Sequence, residues 1–165
     1  MIDSIVILIS ALREELGQYG EMLALLDRQQ QQVVARGAEE LLHTVARIKA
    51  QGVAIQQARD HREKCRGELA QVLQQSEQTT FASLIPLLPA DYRPLVSALV
   101  AENNELLVRV RRRVRQNHIL LSRSIDLMQN LINTLVPARE TRIYNGQGSM
   151  NSRRLPRRAL YEAVG

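Results

Sequence analysis

Aromatic side chains are scarce in this sequence of 165 residues, which has one Phe, four Tyr and no Trp. β-Sandwiches favour aromatic and β-branched residues in their strands, so the composition argues against a core built from sheets. The hydrophobic residues make up 45% of the chain. They are mainly Leu, Ile, Val and Ala, a mixture that suits helix-on-helix packing. The composition therefore predicts an all-α fold.

Cysteine is almost absent as well. Cys65 stands alone, which excludes an internal disulfide and fits a reducing compartment. The apolar start "IVILIS" is short, and Asp3 rather than a basic segment precedes it. This stretch is typical of neither a signal peptide nor a membrane span. The expected location is the cytoplasm.

Catalytic and ligand-binding patterns are also missing from the sequence. His43, His61 and His118 are isolated, and no second His or Cys lies at the spacing of a metal site. His61 and Cys65 share a helical face, but two ligands do not make a site. No glycine-rich phosphate loop occurs between a strand and a helix. We therefore expect no metal, no cofactor and no enzymatic activity, and we expect Glu14, Glu15, Glu39 and Glu40 to be solvated.

Apolar residues are present at helical spacing. They predict an antiparallel bundle of three long helices, at about 3–35, 38–76 and 92–136. In the first helix the steps alternate between three and four, and Val6, Leu8, Met22 and Leu25 widen the stripe. The predicted seam consists of Ile2, Ile5, Ile9, Leu12, Leu16, Tyr19, Leu23 and Leu26.

The second and third helices have less regular seams. The second starts with Leu41, Leu42, Val45 and Ile48, but the register extended from Leu41 reaches Gly52, Ile55, Arg59, Arg62 and Arg66. Three arginines predict either snorkelling side chains or a partly covered middle. The third helix has its early seam at Val96, Leu99, Asn103, Leu106 and Val110.

Three prolines between Pro86 and Pro94 exclude one continuous helix through this region. We expect a short helical plug near 80–88, which closes the end of the bundle with Phe81, Leu84, Leu87 and Leu88. Residues 1–136 would form the bundle domain. Residues 137–165 have weak periodicity and many Arg, and they predict a flexible, Arg-rich C-terminal tail.

The basic charge is concentrated late in the chain: residues 1–90 carry a net −2, residues 91–136 carry +3 and residues 137–165 carry +4. The run "RVRRRVR", Arg109–Arg115, is the strongest electrostatic feature. One interpretation is a basic helix surface paired with acidic residues of the first two helices. The others are a docking site for an acidic protein and, with the least support because no base-reading motif accompanies it, a nucleic-acid site.

The segment 119–136 holds more apolar residues than packing against two helices requires. The surplus is consumed by the end of the bundle or by self-association, or it forms a docking surface for an amphipathic helix of another protein. Periodicity alone does not decide between these alternatives. Tyr144, in the polar segment "YNGQG", is an aromatic residue without a predicted core, which indicates a recognition element that becomes ordered on binding.

The chain resembles the FlgN-type flagellar export chaperones. The resemblance rests on the leucine-rich opening helix with Gly37 before the second helix, on Asn117 followed by Leu120 and Leu121, and on Tyr144-Asn145-Gly146-Gln147-Gly148. It extends to about residue 150. Ala38 stands where many relatives would have a capping Asp, and the Arg-rich residues 151–165 match no known pattern.

The resemblance implies a cytosolic, non-enzymatic chaperone of flagellar type III secretion. Such a chaperone binds hook–filament junction proteins, prevents their premature assembly and delivers them to the export gate. It would be a monomer or a homodimer when free of cargo. The tail residues Tyr144, Gly146 and Gly148 would contact the export gate or complete the grip on cargo. The implied cargo surface is Leu120, Leu121, Leu127, Met128, Leu131, Ile132 and Leu135.

Overall fold

The computed structural model describes residues 1–35 and 38–135. Within them the secondary structure is helical, as the composition predicts. The elements are α1 (Ile2–Ala35), α2 (Ala38–Val72), α3 (Phe81–Leu84), a 3₁₀ turn (Ile85–Leu87) and α4 (Arg93–Leu135). One compact unit spans Met1–Asp126, and a second unit begins at Leu127. The predicted tail, 137–165, lies outside the described residues, so its flexibility and the boundary after residue 136 stay predictions.

The first unit contains an up–down–up arrangement of α1, α2 and the first part of α4. α1 and α2 are antiparallel, since the side chain of Gln51 donates to the Gln18 carbonyl at 3.0 Å while Arg62 reaches Glu15, earlier in α1, at 2.9 Å. α4 runs parallel to α1: Asn103 bonds to the carbonyl of Leu12, and Asn117 bonds to that of Leu26. This is the predicted antiparallel bundle.

The seam of α1 largely follows the sequence pattern. Ile5, Ile9, Leu12, Tyr19 and Leu26 are buried, as are Leu8, Met22 and Leu25 on the widened side. Leu16 and Leu23 are half-buried, whereas Ile2 and Val6 are exposed. The core forms two clusters, one around Ile5, Leu12, Leu69, Leu88 and Val96 and the other around Tyr19, Met22, Leu26 and Val110.

The register of α2 differs from the prediction. Thr44 is buried, and Leu42 and Val45 are exposed. The buried stripe steps back from Leu69 in alternating fours and threes, so the register from Leu41 advances by three to Thr44 and not by four to Val45. Its members are Leu41, Thr44, Ile48, Gln51, Ile55, Ala58, Arg62, Cys65 and Leu69, all buried or half-buried.

α2 ends at Val72, four residues before the predicted end near 76. Gln74 adopts the left-handed conformation with φ 58°. Its amide donates to the Gln71 carbonyl at 2.9 Å, and the Gln75 amide donates to the Ala70 carbonyl at 2.8 Å. These two bonds form a Schellman motif, which satisfies the last helical carbonyls. The sequence does not predict this end of α2, because Gln occupies the position that Gly usually takes.

The connection from α2 to α4 forms the predicted plug. Leu84 and Leu88 are buried and Phe81 packs against the first cluster, but Leu87 is exposed, contrary to the prediction. The guanidinium of Arg62 lies 5.9 Å from the centroid of the Phe81 ring. Arg66 donates to the carbonyls of Glu77 and Thr79. α2 therefore holds the connection in place through arginine side chains.

Candidate functional site

Two buried asparagines set the register between α1 and α4. The Asn103 Nδ2 donates to the Leu12 carbonyl at 3.0 Å, and the Asn117 Nδ2 donates to the Leu26 carbonyl at 2.7 Å. Both contacts join residues that are 91 positions apart. Extending this offset to Ala35, the last described residue of α1, gives Asp126 as its counterpart on α4. A buried Asn in such a seam specifies register at some cost in stability.

The apolar side chains after this point are exposed. Their exposed fractions are 70% for Leu127, 63% for Met128, 58% for Leu131 and 57% for Ile132. At 100° per residue these four side chains cover about 140° of the helix. Gln129, Asn130, Asn133 and Thr134 occupy the remainder. We call the four apolar residues the late apolar face, and it is one-sided rather than the near-complete girdle that the sequence suggested.

The other predicted cargo residues differ from these four. Leu120 and Leu121 are half-buried. The side chain of Leu135 lies outside the described residues, as do Tyr144, Gly146 and Gly148. Thus four of the seven predicted cargo residues form one exposed face, and Leu120 and Leu121 are partly covered within the first unit.

The buried side chains of the bundle become more polar towards the connection between α1 and α2. Gln29 is buried there and accepts from the Asn117 Nδ2 at 2.9 Å. Gln29 lies seven residues before the α1–α2 connection, and Thr44, which is also buried, lies seven residues after it. Gln29 and Thr44 are thus the buried side chains nearest the α1–α2 connection among the described residues of these two helices, and both are polar, whereas Leu42 and Val34 are exposed. This end of the bundle contains less apolar core than the end closed by α3.

Glu15 was expected to be solvated, and it is buried with 1% of its surface exposed. Arg62 binds both of its carboxylate oxygens, at 3.2 and 2.9 Å, and the Arg59 Nε lies 3.9 Å away. The hydroxyl of Tyr19 donates to the same carboxylate at 2.8 Å. Burial, followed by this hydrogen bond, raises the pKa of Tyr19 from 10.0 to about 12. The middle of α2 is thus covered by an ionic contact rather than left open.

A sequence signal for this contact does exist. Glu15 follows Leu12 by three positions and precedes Tyr19 by four, so it lies on the buried stripe of α1. A carboxylate on one seam opposite arginines on the neighbouring seam predicts a buried pair. By contrast Glu14, on the adjacent side of α1, is exposed and lies 3.3 Å from the His61 Nδ1.

Cys65 and His61 do not form a joint site. Cys65 is buried in the first core cluster, and burial raises the pKa of its thiol. His61 is exposed. Across residues 1–35 and 38–135, no three His, Cys, Asp or Glu side chains are grouped so that they could hold a metal ion. In the same part of the chain, no helix has the length and apolarity to cross a membrane.

The arginine run lies on α4 within the first unit. Arg113 forms an ion pair with Asp27 of α1, with 2.8 Å between Nε and Oδ1, and it donates to the Gln30 side chain at 3.0 Å. Arg109, Arg111, Arg112 and Arg115 are exposed. The interpretation of a basic surface paired with the first two helices therefore applies to one arginine, whose partners are both on α1.

The family model for FlgN, described as "FlgN protein", matches residues 1–152. The chain belongs to the FlgN family. This FlgN-family protein is accordingly a flagellar export chaperone, from a chaperone family that is not known as enzymatic. The match ends close to residue 150, where the resemblance was predicted to stop, so the last residues, 153–165, lie beyond it. No curated protein and no solved structure matches the chain significantly.

Proposed function

We propose that this FlgN-family chaperone binds hook–filament junction proteins in the cytoplasm, prevents their premature assembly and delivers them to the export gate. The observation that best supports cargo binding is the late apolar face. A contiguous apolar face exposed on a helix is typical of a protein interaction site. Since the family acts in flagellar export, the partner that fits this face is an exported subunit.

The shape of the face suits a helical ligand. Leu127 and Leu131 form one row along α4, and Met128 and Ile132 form a second row beside it. An amphipathic helix places its apolar residues at i, i+3 or i+4, and i+7, and such a helix can lie between two rows of this kind. Met128 adds a flexible side chain that can adapt to different ligands. In this proposal, the ligand helix is one of the aggregation-prone terminal helices that the family resemblance assigns to junction proteins.

The proposal includes residues beyond this face. Leu120, Leu121 and Leu135 would extend the cargo surface. Tyr144, Gly146 and Gly148 would belong to the segment that contacts the export gate or completes the grip on cargo. We expect Tyr144→Ala to leave the melting temperature of the bundle unchanged and to reduce secretion of junction proteins. A lower melting temperature would show that Tyr144 packs on its own chain and would contradict the proposed role.

The decisive experiment is the double variant Leu127→Asp with Leu131→Asp, tested by calorimetric titration against each candidate junction protein. Burying the remaining exposed surface of these two side chains is worth about 2–4 kcal/mol in total, so their loss alone should weaken binding by roughly 30-fold to 1,000-fold. The buried carboxylates would weaken it further. The matched control is Gln129→Asp with Asn133→Asp, which adds the same charge to the polar side of the same helical turns.

Three results would contradict the proposal. Equal losses of binding in the two double variants would show an effect of charge and not of the apolar face. A loss of helical circular dichroism in the leucine variant alone would place Leu127 and Leu131 in a core. A homodimer that dissociates in the leucine variant, without binding of any junction protein by the unaltered chain, would favour the rival interpretation, a self-associating coiled-coil adaptor.

A further inference from the structure

The segment 106–125 of α4 has an unusual charge balance. It contains six arginines and no acidic residue. Some basic side chains elsewhere in the first unit have acidic partners: Arg62 pairs with Glu15, and Arg66 pairs with Glu63. Within this segment Arg113 has such a partner. Among the residues that the structure describes, no ion pair involves Arg109, Arg111, Arg112, Arg115 or Arg123.

The exposed side chains form a defined stripe. Val108, Arg112, Arg115 and Ile119 follow one another at i, i+4, i+7 and i+11, which places them in one row along the helix. The row is about 16 Å long. It points away from the buried side of α4, because Val110 and Asn117 are buried and all four of these residues are exposed. Its two central positions are charged and its two ends are apolar. We call this row the arginine stripe.

The clustered arginines repel one another and so destabilise α4. Arg109 and Arg112 are three residues apart, Arg112 and Arg115 are three apart, and Arg111 and Arg115 are four apart, so like charges are neighbours on the helix surface. Such pairs destabilise a helix. The buried contacts of Val110 and Asn117 hold α4 in place despite the repulsion. Carboxylates brought by a partner would relieve it.

We propose that the arginine stripe is a docking surface for an acidic amphipathic helix of a partner protein. Two carboxylates of that helix would face Arg112 and Arg115, whose planar guanidinium groups bind carboxylates in a bidentate manner. On the partner helix, apolar side chains one turn before and one turn after the two carboxylates would cover Val108 and Ile119. This inference goes beyond cargo binding and uses none of the proposed cargo residues.

A protein partner fits the stripe better than a nucleic acid does. Binding of single strands relies on aromatic side chains on which bases stack, and the segment 106–125 contains no aromatic residue. Phosphates would match the arginines but would leave Val108 and Ile119 without apolar contacts. A helix with alternating acidic and apolar residues on one face satisfies all four positions at once.

The test uses a designed peptide as the probe. The peptide has 21 residues (about six helical turns) and blocked termini. One face carries two Leu eleven positions apart with two Glu between them at the spacing of the stripe. Fluorescence anisotropy would measure its binding to the full chain at low and at physiological salt. We expect Arg112→Gln with Arg115→Gln to weaken binding by about tenfold or more at low salt. Arg13→Gln with Arg28→Gln removes the same charge from exposed positions of α1 and should change binding by less than about twofold.

Additional variants and a control peptide separate specific docking from non-specific electrostatic attraction. Arg112→Lys with Arg115→Lys keeps the charge but removes the guanidinium forks, and we expect an intermediate loss. A peptide with Gln in place of both Glu should bind at least about tenfold more weakly than the Glu peptide. Thermal melts of every variant would show that the bundle remains folded, as expected for substitutions at exposed positions.

Several outcomes would overturn the proposal. These are equal losses in the stripe variant and the α1 control, equal binding of the Glu and Gln peptides, and no measurable binding of the Glu peptide. Tighter binding to a 20-base-pair DNA duplex, or to vesicles containing phosphatidylglycerol, would assign the stripe to nucleic acid or to a membrane surface instead. Because Leu127 and Leu131 are unaltered, failure of this test would leave the cargo proposal intact, and failure of the cargo test would leave this one intact.

Discussion

The buried ion pair between Glu15 and Arg62 can be tested by replacing each partner with methionine, alone and together. Glu15 is 1% exposed and the side chain of Arg62 is 15% exposed. Removing one partner of such a pair leaves a buried charge without compensation, which costs about 3–5 kcal/mol. Replacing both partners by apolar side chains of similar size is often neutral, because two desolvation costs disappear together.

The two single variants should differ in magnitude. After Glu15→Met, Arg62 keeps Glu63 as an ionic partner, so we expect a loss near the lower limit, about 3 kcal/mol. After Arg62→Met, the carboxylate of Glu15 keeps only the distant Arg59 and the Tyr19 hydroxyl. We expect a loss nearer 5 kcal/mol. The double variant should be more stable than Arg62→Met alone.

Urea denaturation followed by circular dichroism at 222 nm would measure the free energy of unfolding of each variant, and thermal melts would measure the melting temperature. The melting temperature should fall by about 6–20 °C in the single variants, since 1 kcal/mol corresponds to roughly 2–4 °C in a protein of this size. Arg13→Met and Glu21→Met, at exposed positions of α1, serve as controls and should change stability by less than about 0.5 kcal/mol. If the double variant loses as much as the two single variants combined, the residues do not act as a pair and the reasoning is wrong.

Two further predictions concern other buried polar groups. Because folding raises the pKa of Tyr19 from 10.0 to about 12, its contribution to stability is complete below pH 10 and is lost as the pH rises towards 12, by up to about 3 kcal/mol. Tyr19→Phe should remove this loss from an alkaline unfolding series, and an unchanged pH dependence would contradict the assignment. Asn117→Leu should raise the melting temperature by a few degrees, because it removes a buried Oδ1 with no partner among the described residues. A lower melting temperature would show that the bonds of Asn117 to Leu26 and Gln29 contribute more than its burial costs.

The α1 seam and the early α4 seam could be predicted from the sequence because their buried positions are apolar and evenly spaced. Even Asn103 was assigned to the seam by spacing alone. The register of α2 could not be predicted in this way. Its seam contains Thr44, Gln51 and Arg62, so hydrophobicity does not mark the buried side, and the rotation of the helix is consistent with the pairing of Arg62 with Glu15 on another helix. That contact joins residues 47 positions apart, so its signal is the position of Glu15 on the buried stripe of α1 and not the local pattern of α2.

The apolar surplus of the candidate site could be predicted from the sequence, whereas its role in binding cargo stays a prediction. Leu127, Met128, Leu131 and Ile132 exceed what two neighbouring helices can cover, and a count of apolar residues reveals the surplus. The count does not show on which side of the helix the surplus lies, and it does not separate Leu120 and Leu121, which are half-buried. The end of α2 at Val72 was missed because Gln74 takes a left-handed conformation that side chains seldom adopt.

The polar layer of Gln29, Thr44 and Asn117 has a consequence for motion. Apolar burial supplies most of the resistance of a protein to local opening. The polar layer contributes little apolar burial, whereas the end of the bundle closed by Leu84 and Leu88 contributes much. Fluctuations of the bundle should therefore be graded along its length. Amide protons beside the α1–α2 turn should exchange with solvent well before those around Leu12 and Leu69. Such a gradient would let the helices separate at one end while the opposite end holds the three long helices together.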